Sequence, residues 1–219
     1  MSEHSNTPET PAIQPRHVFS SLPKYAAGKP PTPVEGLKQY KLSSNENPHG
    51  PIPEVARILA EFDATHRYPD PLSTKLRTAL AHRLGVDAHN IVTGAGSLGA
   101  LNQILKAFAG ASLDGTQDEV IYAWRSFEAY PILVGLLGAK SVQIPNLPNG
   151  AHDLNAMAQA VTDRTRVILV CTPNNPTGPA VTEAQMREFL TKIPENVVVV
   201  IDEAYYEFCT ASTVPAGQN

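Results

Sequence analysis

The chain has 219 residues, 42% of them apolar and 17% charged, so a buried core is feasible and wholesale disorder is excluded. Seventeen Lys and Arg against 21 Asp and Glu leave a formal charge of -4, which gives no support to nucleic-acid or anionic-membrane binding. No apolar run reaches the ~18–20 residues of a membrane span. The two cysteines, Cys171 and Cys209, form no CxxC pair, which argues against a disulfide framework or a thiolate zinc site and fits a reducing cytoplasm. The seven histidines are scattered, with no HExxH, and no metal site is expected.

Ten of the twenty prolines fall before residue 54. The opening MSEHSNTPETPAIQPR is polar, has no apolar h-region and is not read as a secretory signal. Residues 1–16 are expected to be a disordered tail and residues 17–52 an extended arm that wraps over another domain or subunit. Periodicity becomes clear from Pro53. Val55, Ile58, Leu59 and Phe62 follow helical spacing. Asp70-Pro71 reads as an N-cap with proline at the first helical position. The helix it opens carries Leu72, Leu76, Leu80 and Leu84 and stops at Gly85.

A repeating strand-then-helix pattern follows. Ile91–Thr93 is predicted as a short strand leading into GAGSLGAL, whose helix carries Leu98, Leu101, Leu105 and Phe108. Glu119–Ala123 is predicted as a strand, 127–137 as a helix, Ser141–Ile144 as a strand, and Leu154, Met157 and Val161 mark a helix. Arg166–Cys171 is an apolar strand. Thr182-Glu183-Ala184-Gln185 is a capping box for a helix with Met186, Phe189, Leu190 and Ile193. Val197–Ile201 is fully apolar and ends at Asp202. Near-continuous apolar strands alternating with helices predict a parallel sheet covered on both faces, with a ligand beyond the carboxyl ends of the strands.

Four segments stand at those ends: GAGS, WRSFEAY, TPNNPTG and DEAYYEF. In GAGSLG the glycines permit close backbone approach, and the new helix offers free N–H groups of Gly96, Ser97 and Leu98 to an anion. The acidic residues about 20 positions on, Asp114, Asp118 and Glu119, precede the next strand instead of ending it, so a dinucleotide fingerprint is a poor match. In TPNNPTG the functional reading aims the Asn175 amide at a ligand, with Pro176 and Gly178 fixing the bend; the alternative is a plain turn. Asp202 follows five apolar residues, and a buried carboxylate needs a cationic or hydrogen-bonding partner. A protonated pyridine nitrogen is such a partner, and Tyr205 could donate its phenol to the same ring.

The segments KLSSNENPHGP (41–51), RYPDP (67–71), VTGAGSLGAL (92–101), DEVIYAWRSFEAYPI (118–132), CTPNNPTG (171–178) and VVVVIDEAYYEF (197–208) are collinear. Together they resemble the N-terminal part of a fold-type I, pyridoxal-phosphate-dependent aminotransferase. Within that superfamily the likeness is to histidinol-phosphate aminotransferases and the aromatic (phenylalanine) aminotransferases, and WRSFEAYP points toward the aromatic branch. The resemblance implies an α/β fold: an aspartate aminotransferase-like large domain, a mostly parallel sheet flanked by helices, truncated before its last two strands. Residues 53–219 are then an incomplete pyridoxal-phosphate-binding large domain, with the C-terminal small domain absent. The chain is expected to be the front part of a longer, cytoplasmic, homodimeric enzyme.

The resemblance also implies roles. Asp202 pairs with the pyridinium nitrogen. Asn175 and Tyr205 hydrogen-bond the cofactor's phenolic oxygen. Phe127 stacks on the ring, with a core aromatic as the alternative. Gly96, Ser97 and Leu98 cup the phosphate. Tyr68 reaches the phosphate of the neighbouring subunit's cofactor, and Asn45 and Tyr25 line the substrate site. The family's Schiff-base lysine, the phosphate-binding Arg beyond it and the substrate-gripping C-terminal Arg match nothing here. No catalytic residue is therefore assigned, and the chain alone is expected to be inactive. The implied reaction moves an amino group between an L-amino compound, histidinol phosphate or an aromatic amino acid, and 2-oxoglutarate. The alternatives are an inactive or homologue-binding truncated product, and a pyridoxal-phosphate decarboxylase or lyase of the same fold.

Overall fold

In the computed structural model, residues 15–25 and 28–214 are described; the expected tail over 1–16 falls almost wholly outside them. The chain divides into two compact units, one of residues up to Pro23 together with those from Leu101 onward, the other of Lys24–Ala100.

The first unit is built on a four-stranded sheet of β1 (Glu119–Trp124), β2 (Lys140–Pro145), β3 (Thr165–Cys171) and β4 (Val198–Asp202). The order is β2-β1-β3-β4, and every pairing is parallel. Parallel neighbours need long crossovers. These run through α4 (Tyr130–Leu136), α5 (Leu154–Gln159) and α6 (Glu183–Leu190). The two-residue alternation of strands sorts the core into two layers. Val120, Tyr122, Val167, Leu169 and Cys171 face one side, where Leu101 and Leu105 of α3 (Gly96–Phe108) and Tyr130 and Val134 of α4 cover them. Ile121, Ala123, Ile168 and Val170 face the other, against Met157 of α5 and Met186 and Phe189 of α6. Fully buried side chains such as Met157 and Phe189 each contribute about 1.5–3 kcal/mol relative to exposure.

Helix α6 opens on the predicted capping box, Thr182 and Gln185 exchanging bonds across the first turn. Helices α4, α5 and α6 are shorter than their apolar spacing predicted, so Phe127, Val161 and Ile193 lie outside them. The four strands together place the ends of β1, β3 and β4 at one edge. At the opposite edge Glu119, buried at 2% exposure, accepts from Lys140, Arg164 and Thr162. The last turn of α4 receives part of the arm: the short 3-10 turn His17–Ser20 leads to Leu22 beside Gly135, and Arg16 donates to the Leu136 carbonyl.

The second unit carries α1 (Pro53–Glu61) and α2 (Thr74–Leu84), which bury none of their residues. The apolar stripe Val55, Ile58, Leu59 and Phe62 forms as predicted but stays exposed, with Phe62 just past the helix end. The second helix starts at Thr74, not at Asp70-Pro71: the Asp70 carboxylate accepts from the N–H groups of Leu72 and Thr74, and Ser73 turns left-handed before the helix begins. Its predicted stop holds, with Gly85 at φ +68°. Ile91–Thr93 is not a strand. Ile91 has extended dihedrals, but among the described residues no strand pairs with 91–93, and extension without a ladder is not a sheet element.

Candidate active site

The strongest convergence of functional groups lies in the first unit, where β1, β3 and β4 end. Asp202 is the last residue of β4 and pairs with Cys171, the last residue of β3. It shares its parity with Val198 and Val200, which pack on the α3/α4 layer. The carboxylate therefore meets Tyr130 at the start of α4: the Tyr130 hydroxyl donates to Asp202 Oδ2 at 2.7 Å. The other oxygen accepts from the Ala204 N–H at 3.2 Å, and the Asp202 carbonyl accepts from the Thr172 N–H at 3.0 Å. Asp202 is half-buried and fixed from three sides.

Tyr130 is fully buried. Burial first, then the neighbouring Cys171 and Asp202, pushes its phenol far above the ordinary range, so it remains a hydrogen-bond donor at any working pH. Its ring meets Phe127 edge-on at 5.6 Å and Tyr122 at 5.5 Å. Phe127 is half-buried and packs against the same core layer. The Cys171 thiol, also buried, is pushed up chiefly by burial, opposed by the Asn175 N–H and reinforced by Asp202. A thiol raised in this way is a neutral packing group and not a nucleophile.

The two asparagines of TPNNPTG differ. Asn174 is 3% exposed, and its amide is consumed by Ser126, Arg125 and Thr177. Asn175 is half-buried and takes no part in those bonds. Gly178 closes the turn at φ +95°. Tyr205 is half-buried in the turn after β4, three residues from Asp202.

The remaining predicted residues belong to the second unit. Gly96, Ser97 and Leu98 form the first turn of α3, where the N–H groups have no helical acceptor. Gly96 sits at φ +68°, and a Cβ on Gly99 would lie 3.2 Å from the Gly94 carbonyl carbon, so glycine fits this tight turn at both positions. Tyr68 is fully exposed, and Asn45 and Tyr25 are also exposed. Sequence reasoning missed Tyr130, Cys171, Ser126 and Asn174. The three-residue spacing of Phe127 and Tyr130 in FEAY brings both rings together across one turn but does not reveal the Asp202 partner.

Residues 38–218 match the sequence profile of the family described as aminotransferase class I and II. The chain belongs to the class I and II aminotransferases. Among curated relatives it is 48% identical over 203 residues to the aromatic amino acid aminotransferase of Streptomyces coelicolor, covering 92% of this chain and 55% of that protein. Among solved structures it superposes on histidinol-phosphate aminotransferase from Sinorhizobium meliloti in complex with pyridoxal-5'-phosphate, with a TM-score of 0.67, 27% identity, 76% of this chain and 44% of the other. A single-mutant aspartate aminotransferase of Thermus thermophilus gives 0.58, 26%, 67% and 39%. The chain spans about half the length of the curated relatives it matches.

The aminotransferase family and the parallel sheet flanked by helices agree: this is part of an aspartate aminotransferase-like domain. Among the described residues no group of three or more His, Cys, Asp or Glu could hold a metal ion, and no helix is long and apolar enough to cross a membrane.

Proposed function

We propose that the protein carrying this chain is a pyridoxal-phosphate-dependent transaminase for aromatic L-amino acids, with a 2-oxo acid such as 2-oxoglutarate as amino acceptor. The observation that carries the reading is the Tyr130–Asp202 hydrogen bond at the carboxyl edge of a parallel sheet, one strand from Asn175. A fixed carboxylate there suits a protonated ring nitrogen, and none of the ion pairs among the described residues involves Asp202. The 48% identity to a protein named aromatic amino acid aminotransferase supports an aromatic donor over histidinol phosphate.

Pyridoxal phosphate, when bound, supplies an electron sink for a carbanion at the substrate α-carbon. The chain's own residues bind and orient it. Asp202, held by Tyr130 and the Ala204 N–H, keeps a proton on the ring nitrogen. Asn175 and Tyr205 engage the phenolic oxygen, and Phe127 covers one ring face and excludes water. The amides of Gly96, Ser97 and Leu98, with the Ser97 hydroxyl, take the phosphate. Tyr68, Asn45 and Tyr25 serve the site in a homodimer, the first at the neighbouring subunit's phosphate and the others at the substrate. The whole protein is read as cytoplasmic.

The test is a donor panel on the whole protein with 2-oxoglutarate. Phenylalanine and tyrosine are expected to exceed histidinol phosphate in kcat/KM. Equal or better turnover of histidinol phosphate would reassign the donor, and carbon dioxide release in place of 2-oxo acid would reassign the reaction to a decarboxylase.

A further inference from the structure

We propose that Asn174 is a positioning residue that sets the spacing between Phe127 and Asn175, and so the slot that receives the cofactor ring. The inference rests on the cofactor reading above. It starts from the inventory of one amide: two N–H donors and one carbonyl oxygen. Both donors are used, to the Arg125 carbonyl at 3.0 Å and to Thr177 Oγ1 at 2.6 Å. The oxygen accepts from Ser126 Oγ at 2.7 Å. The orientation is forced, because a backbone carbonyl can only accept and the amide must present nitrogen to Arg125.

The backbone of Asn174 is tied as well, donating to the Pro179 carbonyl and accepting from Gly178 N–H at 2.7 Å. The Arg125 carbonyl receives a second amide, Asn146 Nδ2 at 2.7 Å, and the Asn146 N–H donates to the Trp124 carbonyl. The Thr177 hydroxyl in turn donates to the Gly150 carbonyl at 2.7 Å. One side chain at 3% exposure thereby joins the loops that follow β1, β2 and β3.

Phe127 lies one residue beyond Ser126, and Asn175 one residue beyond Asn174. The Ser126–Asn174–Arg125 bonds set the separation of Phe127 and Asn175. A ring that stacks on Phe127 while meeting Asn175 at its edge needs that separation held to a fraction of an ångström, since misplacement costs binding and rate steeply. Substitution by Asp would keep the shape but aim an acceptor at the Arg125 carbonyl. Substitution by Ala would leave the buried Ser126 hydroxyl without its acceptor and the Arg125 carbonyl with Asn146 alone.

The experiment compares Asn174→Asp, Asn174→Ala and the milder Ser126→Ala with the unaltered chain, each below its unfolding transition. Three readouts are taken: the dissociation constant of pyridoxal phosphate, the circular dichroism that the bound ring acquires from its asymmetric slot, and amide hydrogen exchange at Phe127 and Asn175. The expected result is about tenfold weaker binding for the Asn174 variants and about threefold for Ser126→Ala, with lower induced dichroism and far-ultraviolet dichroism unchanged. Unchanged binding and induced dichroism in variants that have merely lost thermal stability would overturn the proposal. If the unaltered chain takes up no pyridoxal phosphate, the cofactor reading is left to the whole protein and exchange decides the clamp. Faster exchange at both Phe127 and Asn175 then upholds it, and faster exchange confined to 172–178 overturns it.

Discussion

The hydroxyl of Tyr130 and the carboxylate of Asp202, 72 residues apart in sequence, meet at 2.7 Å where α4 begins and β4 ends. The tyrosine is the buried partner and the aspartate the half-exposed one, so the bond aims the carboxylate while its outer side stays accessible. Tyr130→Phe keeps the ring and its packing on Phe127 and Tyr122 and deletes only the donor. A hydrogen bond to a charged group contributes about 1.5–3 kcal/mol, and water recovers part of that at a half-exposed acceptor. The expected outcome is about 1–2 kcal/mol lower unfolding free energy in urea, with pyridoxal phosphate binding weakened severalfold. Unaltered binding would remove Tyr130 from the machinery.

How much of this was legible beforehand follows from what kind of information each feature uses. Strands β1 and β3 were visible because each is buried on both faces and reads as an apolar run, and β4, though only half-buried, because Val197–Ile201 is unbroken apolar. Thr182 and Gln185 were visible because a capping box is local. Ile91–Thr93 misled because strand identity depends on a ladder partner, which a three-residue apolar run cannot specify. Asp70-Pro71 misled because the Asp70 side chain serves a turn first and Ser73 delays the helix. Asp202, Asn175 and Phe127 could be singled out from strand-end placement and resemblance. Tyr130 and Asn174 could not, because their roles lie in contacts with residues 48 to 72 positions away.

Glu119 offers a test of the fold away from the site. It is 2% exposed, while its partners Lys140 and Arg164 are about half exposed. Burial alone would raise its pKa, but the bonds from Thr162 and Lys140 and the charges of Lys140 and Arg164 outweigh that and hold it below the usual value. A depressed carboxylate pKa contributes stability that is present above the unfolded value near 4.5 and lost as pH falls through the folded one. Glu119→Gln should cost about 2–4 kcal/mol at neutral pH, with the gap to the unaltered chain closing below pH 4. Urea titrations at several pH values check both parts.

His152 predicts a dependence of opposite chemistry and the same direction. Its ring is 7% exposed, and neither nitrogen meets a hydrogen-bond partner of good geometry, although Asn174 stands near enough to act on it. It lines a cavity of about 190 Å³ with Asp153, Glu188 and Lys192 as the charged neighbours. Burial lowers its pKa below 6.5, with Asn174 opposing. Between the folded and unfolded values the unfolded chain binds the extra proton, so stability falls as pH drops below about 6.5 by at most about 1.4 kcal/mol per pH unit. His152→Gln should remove that slope and leave the carboxylate-driven one at lower pH. An unchanged slope between pH 6.5 and 5 would show that the ring is charged inside the fold.

The eight lysines supply the last expectation. Lys140 stands at the amino end of β2 and is engaged by Glu119. Lys192 follows α6 and bonds Glu188 and Asn155. Lys75 and Lys106 lie within helices, Lys41 pairs with Glu46, Lys38 sits over the Tyr40 ring, and Lys24 and Lys29 belong to the arm. None follows the carboxyl end of a strand, which is where Asp202 and Asn175 stand. An amine that links covalently to the cofactor has to be both desolvated and aimed at it, and none of these is. Treating this chain with pyridoxal phosphate and then borohydride should therefore give only scattered, substoichiometric labelling by peptide mass spectrometry, and no transamination. Stoichiometric modification of one lysine, accompanied by turnover, would mean that the chain carries its own catalytic amine and that the strand-end placement of chemistry argued here is wrong for it.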